Sequence, residues 1–173
     1  SSLYQPRFQK RWTDFDLKRA NLLLDSMGLN KKTPAGIRLL PNGKRMEFTV
    51  VFSTEESEPS DILELVRDSW RRIGVKIFLK PMQRDVLRNR IFSGLVKMSM
   101  WFGLENGIPN SESSPHELAP TSQQQLQWSK WGQYVETQGR AGERVNIPTA
   151  SRLSELNKKW AKVNNQDERH NIW

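Results

Sequence analysis

Cysteine is absent from the 173 residues, which excludes disulfides, thiolate metal sites and cysteine nucleophiles together. Histidine is almost absent, with only His116 and His170 present. Most zinc sites and histidine-based triads need more than that. Neither histidine stands beside a carboxylate cluster, so both read as surface residues. Long apolar runs are missing too. The tightest cluster, residues 95–102, is interrupted by Lys97 and Ser99, far short of the roughly 20 apolar residues of a membrane span. No signal peptide is present and the chain does not begin with Met, so the sequence leaves export open. No GxxxxGK, GxSxG, HExxH or EF-hand pattern occurs, and residues 140–143 read as a plain loop. From this inventory no catalytic residue, metal site or cofactor is expected, and an enzyme is the least favoured class.

What is present suits a folded domain. Hydrophobic residues make up 36% and charged residues 27%, which argues against wholesale disorder. A folded chain of this length can bury roughly 70% of its unfolded surface, enough for a real core. Lysine and arginine total 27 against 19 acids, a net charge of +8. Such a balance raises a polyanion partner as an alternative, in the form of a basic α/β nucleic-acid-binding domain. The distribution speaks against it. Basic residues are spread from Arg7 to Arg169 among acids such as Glu55, Glu58 and Asp61, and no long run of one sign occurs.

The periodicity changes along the chain. Thr13 is placed to cap a helix, with Asp14 and Asp16 where a helix N-terminus favours negative charge. Leu17, Ala20, Leu24 and Met27 then share one face, and Gly28 with Leu29 closes the helix. Pro41-Asn42-Gly43-Lys44 signals a tight turn, so residues 37–52 read as a hairpin feeding one long strand with Met46, Phe48, Val50 and Phe52 on one side. Ser60 is read as the cap of the next helix, whose apolar stripe is Ile62, Leu65, Val66, Ser69, Trp70 and Ile73, with Gly74 at its end. Val75, Ile77 and Leu79 give a second strand. A short helix over 85–92 ends at Gly94, and Val96, Met98 and Met100 give a third strand. Strand, helix, strand, helix, strand implies a parallel-rich α/β sheet of consecutive βαβ units with flanking helices.

Residues 103–120 are rich in Gly, Pro, Ser and Asn and read as a long structureless loop, expected to be more mobile than the strands. Trp128, Trp131 and Tyr134 recur at a spacing of three, which suits a helical turn or two packed into a core rather than a stacking site for ligand or base. Pro148 opens a helix carrying Leu153, Leu156, Trp160 and Val163. Asn165 opens the last one, which stops at Ile172-Trp173. Two large apolar residues left bare at a terminus suggest an excised piece.

Several segments carry a resemblance. Asp16-Leu17-Lys18-Arg19-Ala20-Asn21-Leu22-Leu23-Leu24-Asp25-Ser26-Met27-Gly28-Leu29 resembles the "DPEKAKALLDEAGL" helix of family 5 extracellular solute-binding proteins, the peptide, nickel and related receptors of ABC importers. Leu39 to Lys44, Leu65 to Ile77, Met98 to Trp101, Trp131 to Tyr134 and Glu168 to Trp173 resemble further segments of that family in the same order. The resemblance covers nearly the whole chain. It implies one lobe of a type II periplasmic-binding-protein-like fold, residues 1–173, from a longer two-lobe receptor whose first lobe is missing here.

It also implies a site. Trp101, Phe102, Glu105 and Asn106 occupy the exit of the third strand, where peptide-binding relatives hold the ligand's amino terminus with an aspartate just past the matching tryptophan. Glu105, one position later, is the nearest acid here. Some dipeptide-binding relatives clamp the ligand carboxylate with an arginine where this chain has Ser60 and Asp61. Arg84 and Arg88 lie one helical turn apart and read as a solvated face rather than an anion site. The resemblance implies a small solute or peptide as ligand and an ABC permease as partner. It implies a monomer that binds no nucleic acid, in the periplasm or as a cell-surface lipoprotein.

Overall fold

The computed structural model describes residues 3–11, 13–55, 58–101 and 109–173. Its elements in chain order are α1 (Pro6–Gln9), α2 (Leu17–Ser26), β1 (Glu47–Ser53), α3 (Glu58–Arg72), β2 (Lys76–Met82), α4 (Arg84–Phe92), α5 (Ser129–Glu136), α6 (Pro148–Lys162) and α7 (Gln166–Ile172). The backbone divides into two units. The sheet unit comprises Lys10–Leu87 and Val96–Trp101; the helical unit comprises Ser1–Gln9, Arg88–Leu95 and Phe102–Trp173.

In the sheet unit β1 and β2 run parallel from Glu47↔Lys76 to Ser53↔Met82, joined through α3 as a βαβ unit requires. The alternation expected in β1 is real: Val50 and Phe52 are buried and pack with Leu63, Val75 and Ile77 as the core. Each such side chain contributes about 1.5–3 kcal/mol by leaving water. Val51 points to the opposite face and is buried as well, so the sheet is covered on both sides there. The expected third strand shrinks to one parallel bridge, Val51↔Ser99. It is held by Val51 N–H donating to Met98 O at 3.1 Å and Met100 N–H donating to Val51 O at 3.0 Å. The direction is as expected; the length is not, because only the middle of the 96–100 run reaches β1. The expected hairpin likewise reduces to isolated antiparallel bridges, Lys32↔Arg38 around the turn at Gly36 and Leu39↔Arg45 around the Asn42-Gly43 turn.

Two helix starts differ from expectation. Asp16, not Thr13, caps α2: its carboxylate accepts from Arg19 N–H at 2.8 Å. The α2 end is as expected, with Gly28 at φ +82 and Leu29 N–H donating to Leu24 O at 3.0 Å. Helix α3 begins at Glu58, so Ser60 lies inside it rather than capping it. Pro59 suits the first turn, where its missing N–H costs nothing. The stripe of α3 also rotates. Leu63 is its buried residue, backed by Val66, Trp70 and Ile73, whereas Ile62 is 40% and Leu65 70% exposed. Apolar positions on α3 span more than one face, and a sheet of two strands is too narrow to cover them all.

The least expected feature is Arg38, whose side chain is completely buried. Its Nε donates to Ile73 O at 2.7 Å, Nη1 to Asp25 Oδ1 at 2.5 Å and to Leu29 O, and Nη2 to Asn21 Oδ1 at 2.7 Å. One guanidinium thus ties the end of α2 to the end of α3. Gly74 gives it room: at φ +85, a Cβ there would sit 2.8 Å from Arg38 Cγ.

The helical unit is organised by tryptophans. Trp131 is buried in α5 and meets half-buried Trp128 edge-on, ring centres 6.0 Å apart. α6 begins at Pro148 as expected and buries Ala150 and Trp160. Asn165 caps α7, accepting from Asp167 and Glu168 N–H at 2.9 and 3.1 Å. The described half of the expected loop, residues 109–120, is packed rather than structureless. Ser111, Ala119 and Pro120 are buried, and the indole N–H groups of Trp160 and Trp173 donate to Ser111 O and Ser113 O, both at 3.0 Å. Ile172 and Trp173, expected bare, are half-buried.

Candidate functional site

Parallel strands joined by helices leave their carboxyl ends facing the loops, and ligands of open α/β sheets bind there. Register fixes what meets at that end. Val51 pairs with Lys80 on one side and Ser99 on the other. Two residues on, the same level holds Ser53, Met82 and Trp101; one step further come Glu55 and Arg84. Thr54 N–H donates to Met82 O at 3.0 Å and holds the two strand exits together.

At this end three side chains from three separate segments converge. Arg84 Nη1 donates to Glu55 Oε2 at 3.4 Å. The same guanidinium lies over the Trp101 indole, 5.3 Å from the ring centre. Trp101 is half-buried, whereas the side chains of Arg84 and Glu55 are 47% and 53% exposed. An exposed ion pair of this kind contributes only about 0–1 kcal/mol, and the cation–π contact about 0.5–1 kcal/mol. The cluster is therefore poorly explained as a stability device, and it presents a cation, an anion and an aromatic face within one small area.

Of the residues expected at the strand exit, Trp101 is placed there; Phe102, Glu105 and Asn106 lie outside the described residues. Arg84 and Arg88 do not form a shared anion site: Arg84 turns to Glu55, while Arg88 donates to Gln124 Oε1 and covers Phe92. Glu55 stands in the sequence only as one of several acids among the basic residues. A signal existed. Glu55 and Arg84 each stand two residues past the end of a parallel strand, the position that strand-end binding favours.

Two concavities of the sheet unit lie elsewhere. One of about 440 Å³ runs between α2 and α3, lined by Phe15, Leu17, Ile62, Leu65 and Trp70 among others. Another of about 400 Å³ is lined by Lys10, Arg11, Asp14, Asp16 and Arg19. Neither includes a strand-end residue, and the Asp16 carboxylate is already engaged in capping α2. Among the described residues no group of three or more histidines and acids is arranged to hold a metal ion, and no helix is long and apolar enough to cross a membrane.

No protein-family model and no curated protein matches the chain; the likeness is to solved structures. The oligopeptide-binding protein OppA is 25% identical, with a TM-score of 0.79 over 99% of this chain and 29% of its own. The periplasmic binding protein MelB of Agrobacterium fabrum, solved with stachyose, is 16% identical, with a TM-score of 0.71 over 99% of this chain and 25% of its own. An oligopeptide-binding protein of Thermus thermophilus, solved with a pentapeptide, is 16% identical, with a TM-score of 0.62 over 98% of this chain and 28% of its own. The chain thus spans under a third of the length of these neighbours. It has the fold of one part of a type II periplasmic binding protein, and its structural neighbours are of the kind that its sequence resembles, the family 5 extracellular solute-binding proteins.

Proposed function

We propose that the chain is one ligand-holding lobe, residues 1–173, of the substrate-binding component of an ABC importer for peptides or similar small solutes. The observation that carries this reading is the convergence of Glu55, Arg84 and Trp101 at the carboxyl ends of the parallel strands. The structural neighbours, which include an oligopeptide-binding protein and proteins solved with stachyose and with Fe(III)-EDTA, support a solute-binding role. Phe102, Glu105 and Asn106 follow Trp101 in the chain and remain candidates on that position alone. The mechanism is binding without chemistry. Solute enters between this lobe and another, closure removes it from water, and the closed form docks on a membrane permease. The receptor acts as a monomer in the periplasm or as a cell-surface lipoprotein, without nucleic acid.

One wall of a cleft leaves its ligand half solvated, so the chain by itself binds weakly. Losing about 4 kcal/mol of contacts weakens binding roughly a thousandfold. The test is NMR titration of the chain with a mixed pool of short peptides and, separately, with a DNA duplex at two salt concentrations. The expected result is weak peptide shifts confined to residues 53–55, 82–84 and 99–101, without a steep loss on adding salt. Widespread shifts with DNA that fade steeply on adding salt would favour the basic nucleic-acid-binding alternative and overturn the reading.

A further inference from the structure

Arg84 is the one group of the strand-end cluster that touches both others. Its guanidinium donates to the Glu55 carboxylate and lies over the Trp101 ring. Glu55 and Arg84 are 29 residues apart in the chain, and Trp101 comes from a third segment, so the arrangement is made by the parallel register rather than by local sequence. We propose that Arg84 is the specificity-determining residue of this site and that it selects solutes carrying a carboxylate, with Glu55 as the placeholder that such a solute displaces. The inference rests on the solute-binding reading above.

The exchange trades one carboxylate on Arg84 for another, and the released Glu55, 53% exposed, is taken up by water. A guanidinium has donors in a planar fork that fits a carboxylate edge, and the carboxylate it now holds is on a short, half-exposed side chain. A solute carboxylate offers the same two oxygens in the same role. Replacing Glu55 by it leaves Arg84 paired, whereas a neutral solute that displaced Glu55 would leave the guanidinium without a counter-charge. The Trp101 ring keeps the guanidinium in place while partners change, since a cation–π contact constrains the plane without using the N–H groups. The released Glu55 is restrained at its backbone, where its N–H donates to Ser53 Oγ at 3.3 Å. Its carboxylate stays beside the site and disfavours a second anionic group on the solute.

The carboxylate can belong to a peptide terminus or to a sugar acid, so the experiment uses both. The chain is titrated with tetra-alanine, tetra-alanine amide, glucuronate and glucose, and read by NMR at the Trp101 indole and Arg84 Nε–H resonances, assigned with Trp101→Phe and Arg84→Gln. The expected result is half-saturation by at least one acid at a concentration about tenfold lower than by its neutral counterpart, a difference of about 1.4 kcal/mol. Preference for tetra-alanine over glucuronate, or the reverse, names the source of the carboxylate. Arg84→Gln is expected to abolish the difference between acid and neutral members. Glu55→Gln is expected to strengthen binding of the acid severalfold by removing the competitor; an Arg84 with a purely structural role predicts no such gain. Both substitutions are at exposed side chains, and a dispersed amide spectrum checks the fold. Equal half-saturation by acid and neutral members would overturn carboxylate selection while leaving the solute-binding reading standing. Absence of any shift at Trp101 with all four probes would overturn both.

Discussion

In the sheet unit the core is aliphatic and periodic: Val50, Phe52, Leu63, Val75 and Ile77 interlock around two parallel strands. In the helical unit order comes from polar side chains reaching distant backbone. Trp160 and Trp173 donate to Ser111 O and Ser113 O across 49 and 60 residues, Gln125 donates to His116 O, and Arg169 binds Val163 O at 2.7 Å and Glu112. The first kind of order is non-directional and tolerates repacking. The second is directional, and each missing donor leaves a carbonyl without its partner. The two units should therefore fail in different ways. Arg38 is the exception in the sheet unit, a directional clamp set beside an aliphatic core.

That exception supplies the largest expected effect. Arg38→Met keeps much of the side-chain volume but leaves Leu29 O and Ile73 O without donors, and Asp25 without its cation. Asp25 is 46% exposed and rehydrates, so most of the loss falls on the carbonyls; the expected destabilisation is about 4 kcal/mol. Urea unfolding followed by circular dichroism measures it. A loss below about 1 kcal/mol would show that the clamp is dispensable and that the aliphatic core alone joins α2 to α3.

In the helical unit the largest effect is steric. A Cβ at Gly132 would lie 2.0 Å from Ser122 O, where α5 and the preceding turn touch backbone to backbone. Gly132→Ala should cost about 3 kcal/mol by forcing them apart, seen as a lower thermal midpoint. An unchanged midpoint would mean that the turn gives way freely and that the unit is looser than its buried tryptophans suggest.

A smaller, directional effect is expected at α6. Trp160→Phe keeps a ring beneath the Arg169 guanidinium, which now lies 4.6 Å from the ring centre, and removes only the donor to Ser111 O. The cost should be about 1–2 kcal/mol, with faster amide exchange in residues 109–114. Unchanged exchange there would argue that packing rather than the hydrogen bond holds the segment. The smallest effect belongs to α3. Leu65→Gln, at a side chain 70% exposed, should change stability by less than about 0.5 kcal/mol. Leu63→Ala on the buried face should cost about 2–5 kcal/mol. Equal costs would restore the stripe that periodicity suggested.

Much of the fold was legible. The order of helix and strand in the sheet unit, the glycine closures after α2 and α3, the start of α6 at Pro148 and the Asn165 cap all follow from local rules, because caps, turns and periodicity act within a few residues. The burial face of α3 was not, since Ile62, Leu65, Leu63 and Val66 are all apolar and only the position of β1 and β2 selects among them. The site was half legible. Trp101 stands out as an aromatic at a strand exit, whereas Glu55 is one acid among several.

The sequence by itself determined where most of the helices and the two paired strands lie to within a few residues, that they follow a βαβ order, and that cysteine chemistry is excluded. These are local or compositional properties, set by backbone stereochemistry and by which side chains exist. Tertiary structure alone decided that Arg38 is buried, that the 109–120 segment is packed, and that Glu55 and Arg84 meet over Trp101. Each depends on groups far apart in the chain being brought within hydrogen-bond reach, and a guanidinium in a sequence looks the same whether its partners are water or buried protein oxygens.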